Sequence, residues 1–161
     1  MTRVRSDLAA SYAYLLGVAA VELLVDQLSK WVVTTTLQGR SPVRLLGGAV
    51  YLEYTRNSGA AFSVFQNGGV LFAVVAVAVS LAILVLYPRV AYGPMATRTA
   101  LALVLGGALG NLLDRLRLGY VVDFIDLRWW PVFNLADSGI VLGVVLLALR
   151  SLLESRAEAE T

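Results

Sequence analysis

The stretch that decides the fold is Val70-Leu-Phe-Ala-Val-Val-Ala-Val-Ala-Val-Ser-Leu-Ala-Ile-Leu-Val-Leu-Tyr87, which carries no charged residue. It is close to the length of about 20 apolar residues that a helix needs to cross a bilayer. Three further apolar stretches lie on either side of it, so we predict four spans, at approximately 10–36, 70–87, 97–114 and 136–153. All four are expected to be helices, because a backbone in lipid must satisfy its own hydrogen bonds.

The composition supports a membrane protein and narrows its chemistry. The chain has 161 residues, of which 58% are hydrophobic, and we treat residues 1–161 as a single domain. It contains no cysteine and no histidine, and Lys30 is the only lysine. Without cysteine and histidine the chain has no thiol nucleophile, no Ser-His pair and none of the usual zinc ligands, and we expect no cofactor that such residues would bind. The net charge of +2 and scattered basic residues give no nucleic-acid footprint.

The ends of the chain are predicted to lie on one side of the membrane, since four spans bring them there. Arg3 and Arg5 precede the first span in the manner of a signal peptide, but its apolar stretch is too long and lacks a small-residue cleavage site, so we interpret it as a retained span. Orientation does not follow from charge, because the two sides carry equal sets of arginine. The terminal side has Arg3, Arg5, Arg89, Arg98, Arg150 and Arg156, and the other has Arg40, Arg44, Arg56, Arg115, Arg117 and Arg128.

The long loop at 38–69 has a pattern of its own. Val50, Leu52 and Tyr54 alternate with polar or aromatic neighbours, which predicts a short strand, and glycine pairs on both sides supply turns. We therefore predict a small sheet between the first and second spans. The polar tail at 154–161 is expected to be disordered.

Polar residues gather at one membrane face. Asp26 and Lys30 lie late in the first span, and Asn57 lies in the long loop on the same side. The other members of this group lie at the end of the third span, in the loop that follows it and at the start of the fourth span: Asn111, Asp114, Arg115, Asp123, Asn134 and Asp137. Ionisable residues in a membrane are costly and are candidates for function by default.

Several of these residues also have simple structural interpretations. Asp26 and Lys30 are spaced i,i+4 and are suited to a helical ion pair, which we favour over direct contact with a substrate. Gly106 and Gly110 favour close helix packing, although a substrate chain could also use the space. The spacing leaves open whether Arg115 pairs with a carboxylate or holds a backbone carbonyl.

The carboxylates differ in their predicted surroundings. Asp123 lies between Val122 and Phe124, which predicts an apolar environment, whereas Asp126 neighbours Arg128 and is expected to be solvated. Asp137 could simply cap the fourth span. Two carboxylates held close together, however, share a proton, so that one can activate water while the other polarises a carbonyl. That is the chemistry of aspartic proteases, and it requires no metal.

Five stretches in this order resemble the motifs of lipoprotein signal peptidases, also called signal peptidase II. They are Asp26-Gln-Leu-Ser-Lys30, Arg56-Asn-Ser-Gly-Ala-Ala-Phe62, Gly110-Asn-Leu-Leu-Asp-Arg115, Gly119-Tyr-Val-Val-Asp-Phe124 and Phe133-Asn-Leu-Ala-Asp-Ser138. The resemblance implies four membrane helices with an extracytoplasmic sheet called a cradle. It also implies an aspartic endopeptidase of the bacterial inner membrane, with both termini in the cytoplasm and the active site at the extracytoplasmic face.

The resemblance carries specific expectations about substrate and site. The substrate would be a prolipoprotein whose lipobox cysteine carries diacylglycerol, with cleavage just before that cysteine. The enzyme would work without cofactor, metal or nucleic acid, in contact with membrane lipids and as a monomer. The catalytic aspartates would be Asp123 and Asp137. The supporting residues would be Asp26, Lys30, Asn57, Gly107, Asn111, Asp114, Arg115, Asn134 and Ala136. The segment Ile125 to Val132 departs from the pattern, being short and carrying Trp129-Trp130.

Three other functions are compatible with parts of the pattern. A proton-coupled carrier also uses intramembrane acids, but here they gather at one face and the second span has none. An assembly protein could use the charges only to lock its helices together. A Ser-Lys peptidase could pair Lys30 with Ser58 or Ser63, although Asp26 accounts for Lys30 better.

Overall fold

Four long helices form the body of the protein. A computed structural model describes residues 2–59 and 68–159. Within that part of the chain the helices are α1 (Thr2–Leu37), α2 (Gly68–Leu86), α3 (Met95–Leu118) and α4 (Leu135–Ala159). All four are long and apolar enough to cross a membrane, which confirms the predicted four-span architecture. Helix α3 ends at Gly119, whose φ of 80° is in the left-handed region that favours glycine.

The C-terminal tail differs from its prediction. Helix α4 continues through residue 159, so the expected disorder from Glu154 onward is wrong for that part of the chain. Arg150 and Glu154 form an i,i+4 ion pair on this helix, and the alanine, arginine and glutamate of the tail have high helix propensity. A polar composition was therefore a poor guide where the helix before it was already nucleated.

A small antiparallel sheet lies beyond the helix ends. Its strands are β1 (Val43–Leu45), β2 (Val50–Asn57) and β3 (Val121–Asp126), in the order β1-β2-β3. Strand β2 confirms the predicted strand, and a short 3-10 turn with Gly47 at φ 68° links it to β1. The sheet is larger than expected from the first loop alone, because β3 comes from the loop between α3 and α4. Pairing with β2 places Asp123 opposite Thr55 in the register.

Glycines allow α3 to pack closely against two neighbours. A Cβ at Gly106 would lie 2.7 Å from the carbonyl oxygen of Ala19 on α1, and a Cβ at Gly110 would lie 2.6 Å from Asp26. A Cβ at Gly107 would clash with the carbonyl oxygen of Ala136, on α4. The packing interpretation of this small-residue pattern is confirmed, and it brings the first turn of α4 directly against α3.

This packing gives a first prediction. Gly107→Ala should destabilise the protein by about 1–3 kcal/mol, because the backbone of Ala136 must move away from α3. The same shift should displace Asp137. Thermal unfolding should be compared with that of Gly17→Ala, a control at which an added Cβ meets nothing within 4 Å. Equal behaviour of the two variants would contradict the proposed close contact.

Candidate active site

The polar residues selected from the sequence converge at the sheet end of the helices. Six of them are buried although they are charged or carry amides: Asp26, Lys30, Asn111, Asp114, Asp123 and Asn134. Burial of this kind is tolerated only when each group has partners. The hydrogen-bond network therefore explains how the site is held together.

Lys30 stands at the centre of the supporting network. Its Nζ lies 2.8 Å from Asp26 and 3.0 Å from Asp114, and it donates to Oδ1 of Asn111 at 3.0 Å. The predicted Asp26–Lys30 ion pair is thus present, with Asp114 as a second carboxylate. Two acids and one lysine leave a net negative charge, which the surrounding amide donors stabilise.

Gln27 is a member of this network that the sequence analysis did not single out. Its Nε2 donates to Asp114 at 2.9 Å and lies 3.2 Å from Asp26. It also lies 3.3 Å from the carbonyl oxygen of Gly110. The sequence offered one signal for its role, its position directly after Asp26. That position does not show that the Gln27 side chain faces α3.

The two supporting carboxylates also hold backbone groups of neighbouring elements. Asp114 accepts from the backbone N–H of Val122 at 3.1 Å, next to Asp123 in strand β3. Asp26 accepts from the backbone N–H of Ala136 at 3.0 Å, next to Asp137 in the first turn of α4. The ion network thereby fixes the backbone beside each candidate catalytic aspartate.

Asp137 and Asn134 form a reciprocal cap at the start of α4. The Asp137 N–H donates to Oδ1 of Asn134 at 2.9 Å, and the Asn134 N–H donates to Oδ2 of Asp137 at 3.2 Å. This is the arrangement of a capping box, with Asn134 as the N-cap and Asp137 at the third helical position. The predicted capping role is therefore real. The other carboxylate oxygen of Asp137 accepts from Nδ2 of Asn111 at 2.8 Å.

Asp123 is buried but its surroundings are polar, so the predicted apolar environment is wrong. Its Oδ2 accepts from Nδ2 of Asn57 at 2.8 Å, and its Oδ1 accepts from Nδ2 of Asn134 at 2.7 Å. Val122 and Phe124 precede and follow it in an extended strand, where successive side chains point to opposite faces. Sequence neighbours were therefore a misleading guide to its environment.

The Asn134 side chain connects the carboxylate of Asp123 with the backbone of Asp137. Its amide nitrogen donates to Asp123, and its amide oxygen accepts from the backbone of Asp137. Its Nδ2 also lies 3.1 Å from Oδ1 of Asn111, whose own nitrogen donates to Asp137. Asn111 and Asn134 thus hold both aspartates in one continuous network that extends back to Lys30.

The electrostatics of the site make Asp123 a weaker acid than an ordinary aspartate. Burial raises the pKa of Asp123 to about 6, and the nearby charge of Asp137 also raises it. The hydrogen bonds from Asn57 and Asn134 oppose this shift, since they stabilise the ionised form. A carboxyl with this pKa can exchange a proton near neutral pH.

The sequence left open whether Arg115 pairs with a carboxylate or holds a backbone carbonyl. Its Nη1 donates to the backbone carbonyl of Asn111 at 3.1 Å, and its guanidinium lies 5.4 Å from the ring centroid of Phe72 on α2. The backbone-carbonyl alternative is therefore observed. Arg115 bridges α3 and α2 at the mouth of the site, where its positive charge faces the carboxylates.

Two clefts meet at Asp137. One has a volume of about 420 Å³, lies between α2, α3 and α4, and includes Asn57, Asn111 and Arg115 in its lining. The other has a volume of about 470 Å³ and lies between α4 and the loop that carries Trp129. A third groove of about 730 Å³ lies between α2 and α3 and is almost wholly apolar.

Asp126 does not have the solvated environment that was predicted. It is buried, and its carboxylate forms an ion pair with Nε of Arg128 at 3.1 Å and accepts from the backbone N–H of Arg128 at 2.6 Å. The neighbouring arginine was correctly identified, but strand β3 carries the carboxylate into the sheet. It makes no hydrogen bond to Asn111 or Asn134 among the described contacts.

Parts of the predicted site cannot be compared with the structure. Ala60, Ala61 and Phe62 of the second motif lie outside the described residues, as does Ser63 of the Ser-Lys alternative. Ser58 lines the α2–α3 groove, whereas Lys30 is occupied by two carboxylates and an amide. Across the described ranges, 2–59 and 68–159, no cluster of three acidic residues could hold a metal ion.

Comparison with known proteins agrees with this architecture. The peptidase A8 family model, described as Signal peptidase (SPase) II, matches residues 18–153. The chain is 48% identical to a lipoprotein signal peptidase of Moorella thermoacetica, over 84% of this chain and 90% of that protein. It is 41% identical to a lipoprotein signal peptidase of Halothermothrix orenii, over 82% and 90% of the two proteins.

A solved structure of a bacterial membrane enzyme has a similar fold. It superimposes with a TM-score of 0.80 at 29% identity, covering 86% of this chain and 92% of the other. A second solved structure of a bacterial membrane enzyme gives a TM-score of 0.78 at 28% identity, with 88% of each chain covered. The chain therefore belongs to the signal peptidase II family: it is a multi-pass membrane aspartic peptidase that processes the signal peptides of lipoproteins.

Proposed function

We propose that Asp123 and Asp137 are the catalytic pair of this peptidase. The observation that carries the proposal is Asn134, whose side chain donates to the Asp123 carboxylate and whose backbone N–H donates to the Asp137 carboxylate, beside the two clefts that Asp137 lines. Capping of α4 uses the backbone-facing oxygen of Asp137. The capping interpretation and the catalytic one are therefore compatible.

The pair divides the work of peptide hydrolysis between an acid and a base. Asp123 holds the shared proton, because its pKa is raised, and donates it toward the oxygen of the scissile carbonyl. Ionised Asp137 takes a proton from a water molecule, whose oxygen adds to the carbonyl carbon. When the tetrahedral intermediate collapses, the C–N bond breaks, the proton held by Asp137 passes to the leaving amine, and one hydroxyl of the intermediate returns a proton to Asp123. The products are a carboxylic acid and an amine, and no other reactant is required.

The substrate of this reaction is proposed to be a prolipoprotein whose lipobox cysteine carries diacylglycerol, with cleavage just before that cysteine. The family assignment and the apolar grooves beside Asp137 support this substrate. The protein is proposed to act as a monomer in the bacterial inner membrane, with cytoplasmic termini and the sheet on the extracytoplasmic side. A proton-coupled carrier is disfavoured, because α2 (Gly68–Leu86) carries no charge and the polar network stays at one end.

Lipidation should strongly favour cleavage. We expect a diacylglyceryl-modified prolipoprotein to be cut on the order of a hundredfold faster than the unmodified one, since burial of only about four methylene groups supplies that factor. The measurement is kcat/KM for the purified protein in mixed micelles at a fixed mole fraction of substrate. Equal rates for the two substrates would rule out lipid recognition.

Activity should also depend on pH in a defined direction. As pH rises through about 6, the pair loses its shared proton and kcat/KM falls; a pair that works with one shared proton also has an acidic limb, where it takes up a second proton. Asn57→Ala removes a hydrogen bond that lowers the pKa of Asp123, so the alkaline limb of the profile should move to higher pH. Thr55→Val serves as the control, because the Thr55 hydroxyl donates to Glu53. A limb that shifts in neither variant, or in both, would contradict the assignment of the acid.

A further inference from the structure

The cleft between α4 and the β3–α4 loop has fewer polar side chains in its lining than the cleft between α2, α3 and α4 that also contains Asp137. We name it the Trp groove, and its apolar lining comprises Leu127, Trp129, Trp130, Phe133, Val141 and Leu142. At its inner end lie Asp137 and Ser138. No other charged residue contributes to it among the residues described, so the groove suits an apolar ligand that reaches the reacting carboxylate.

The Trp groove opens toward the membrane. Trp129 is 77% exposed, Trp130 is 57% exposed, and Val141 on the facing side of α4 is 60% exposed. Tryptophan is enriched where a membrane meets water, and an exposed valine on a spanning helix faces lipid. The groove is therefore accessible from the region where the acyl chains of a membrane-bound substrate begin.

The loop that forms the outer wall is anchored to the sheet. Arg128 adopts a φ of 67°, which is unusual for a residue other than glycine. Its guanidinium pairs with Asp126 and lies 3.7 Å from the ring centroid of Tyr51. These contacts hold the two tryptophans, whose rings pack edge to face with centroids 5.9 Å apart, beside α4. The contacts of Arg128 therefore fix the position of the loop that forms the wall of the Trp groove.

The two clefts at Asp137 match the two sides of the scissile bond. A peptide backbone requires hydrogen-bond partners, which the cleft containing Asn57, Asn111 and Arg115 offers. An acyl chain requires none, and apolar walls exclude water from it. A substrate lying across Asp137 would therefore place its peptide beside Asn57, Asn111 and Arg115 and its lipid in the Trp groove.

We propose that the Trp groove holds an acyl chain of the diacylglyceryl cysteine, and that Trp130 and Val141 set the preference for chain length. This inference rests on the proposed function, since it requires a lipidated substrate. It assigns the lipid to the Trp groove and leaves the cleft that contains Asn57, Asn111 and Arg115 for the peptide.

The test uses a series of substrates that differ only in acyl length, from short to long chains, with the full-length protein in mixed micelles. Val141→Phe fills the groove and Trp130→Ala removes part of its wall. For the longest chains each variant should raise KM by about tenfold, the effect of losing burial of about two methylene groups, with kcat little changed. For the shortest chains both variants should match the wild type.

Two controls separate this inference from its alternatives. Val144→Phe places the same side chain at an exposed position of α4 that does not line the groove, and Val74→Phe obstructs the α2–α3 groove. Neither should change the dependence on chain length. Loss of that dependence in Val74→Phe, or its persistence in both groove variants, would overturn the inference. Failure of the wild type to cut any lipidated substrate would instead overturn the proposed function.

Discussion

Asp123→Asn and Asp137→Asn are each expected to lower kcat by about four orders of magnitude or more, as the loss of one member of a cooperating catalytic group does. Asparagine nearly matches aspartate in shape but cannot accept a proton from water or donate one to a carbonyl. The double variant should be little worse than either single variant, because the two residues act as one device. The measurement is the single-turnover rate at matched amounts of membrane-inserted protein.

Both variants should still fold, with similar small losses. Each aspartate accepts hydrogen bonds at both carboxylate oxygens. In asparagine one of these oxygens becomes an NH2 group, which faces a neighbouring donor and lowers the free energy of unfolding by about 1–3 kcal/mol. At position 123 an opposing effect exists at neutral pH. The raised pKa means that the folded state binds the proton more tightly than the unfolded state, so this contribution to stability is present at low pH and lost as pH rises through about 6. Asparagine does not titrate, so the Asp123→Asn variant does not lose this stability as the pH rises.

Asp126→Asn is the matched control for a carboxylate of the same strand. It weakens the ion pair between buried Asp126 and half-exposed Arg128 and should lower the melting temperature, but Asp126 touches neither Asn111 nor Asn134 among the described contacts. We expect kcat to be largely retained. An inactive but folded Asp126→Asn enzyme would show that the wrong aspartate of β3 had been assigned.

Lys30→Met should produce the largest loss of stability, about 3–5 kcal/mol. Its removal leaves Asp26 and Asp114 buried without a counter-charge, and their side chains are only 0% and 4% exposed. The same two carboxylates hold the backbones next to Asp137 and Asp123, so activity should fall as well. Thermal unfolding in detergent at one scan rate measures the effect.

Two comparisons make the Lys30 prediction specific to buried charge. Arg117→Met removes the same charge from an exposed position of α3 and should leave the melting temperature nearly unchanged. The triple variant Lys30→Met, Asp26→Asn, Asp114→Asn leaves no uncompensated charge and should recover part of the lost stability. A wild-type melting temperature in Lys30→Met would show that the network does not stabilise the fold.

The sequence was sufficient to predict the parts of the fold that depend on local pattern. Hydrophobic length predicted the four helices, alternation predicted strand β2, and the i,i+4 spacing predicted the ion pair of Asp26 and Lys30. The small-residue pattern around Gly106 also predicted close packing of α3. Each of these properties depends on residues within one or two helical turns of each other.

Properties that depend on distant pairing were not predictable in the same way. Strand β3 forms because β2 offers it hydrogen bonds, and only this pairing buries Asp126 and gives Asp123 its amide partners. Asp137 also combines features from distant parts of the chain. It caps α4, and it lines both the cleft that contains Asn57 and Asn111 and the Trp groove. Spacing along the chain favoured the cap alone, because capping is a local interaction whereas a cleft is not.

The most direct test of the central claim is mass analysis of the products formed from a diacylglyceryl-modified prolipoprotein by the purified wild type and by Asp137→Asn, at equal amounts of folded protein. The wild type should release a signal peptide that ends at the residue before the lipidated cysteine, and the variant should release none over the same period. Release of that peptide by Asp137→Asn at the wild-type rate, or scission by the wild type at another bond, would contradict the account.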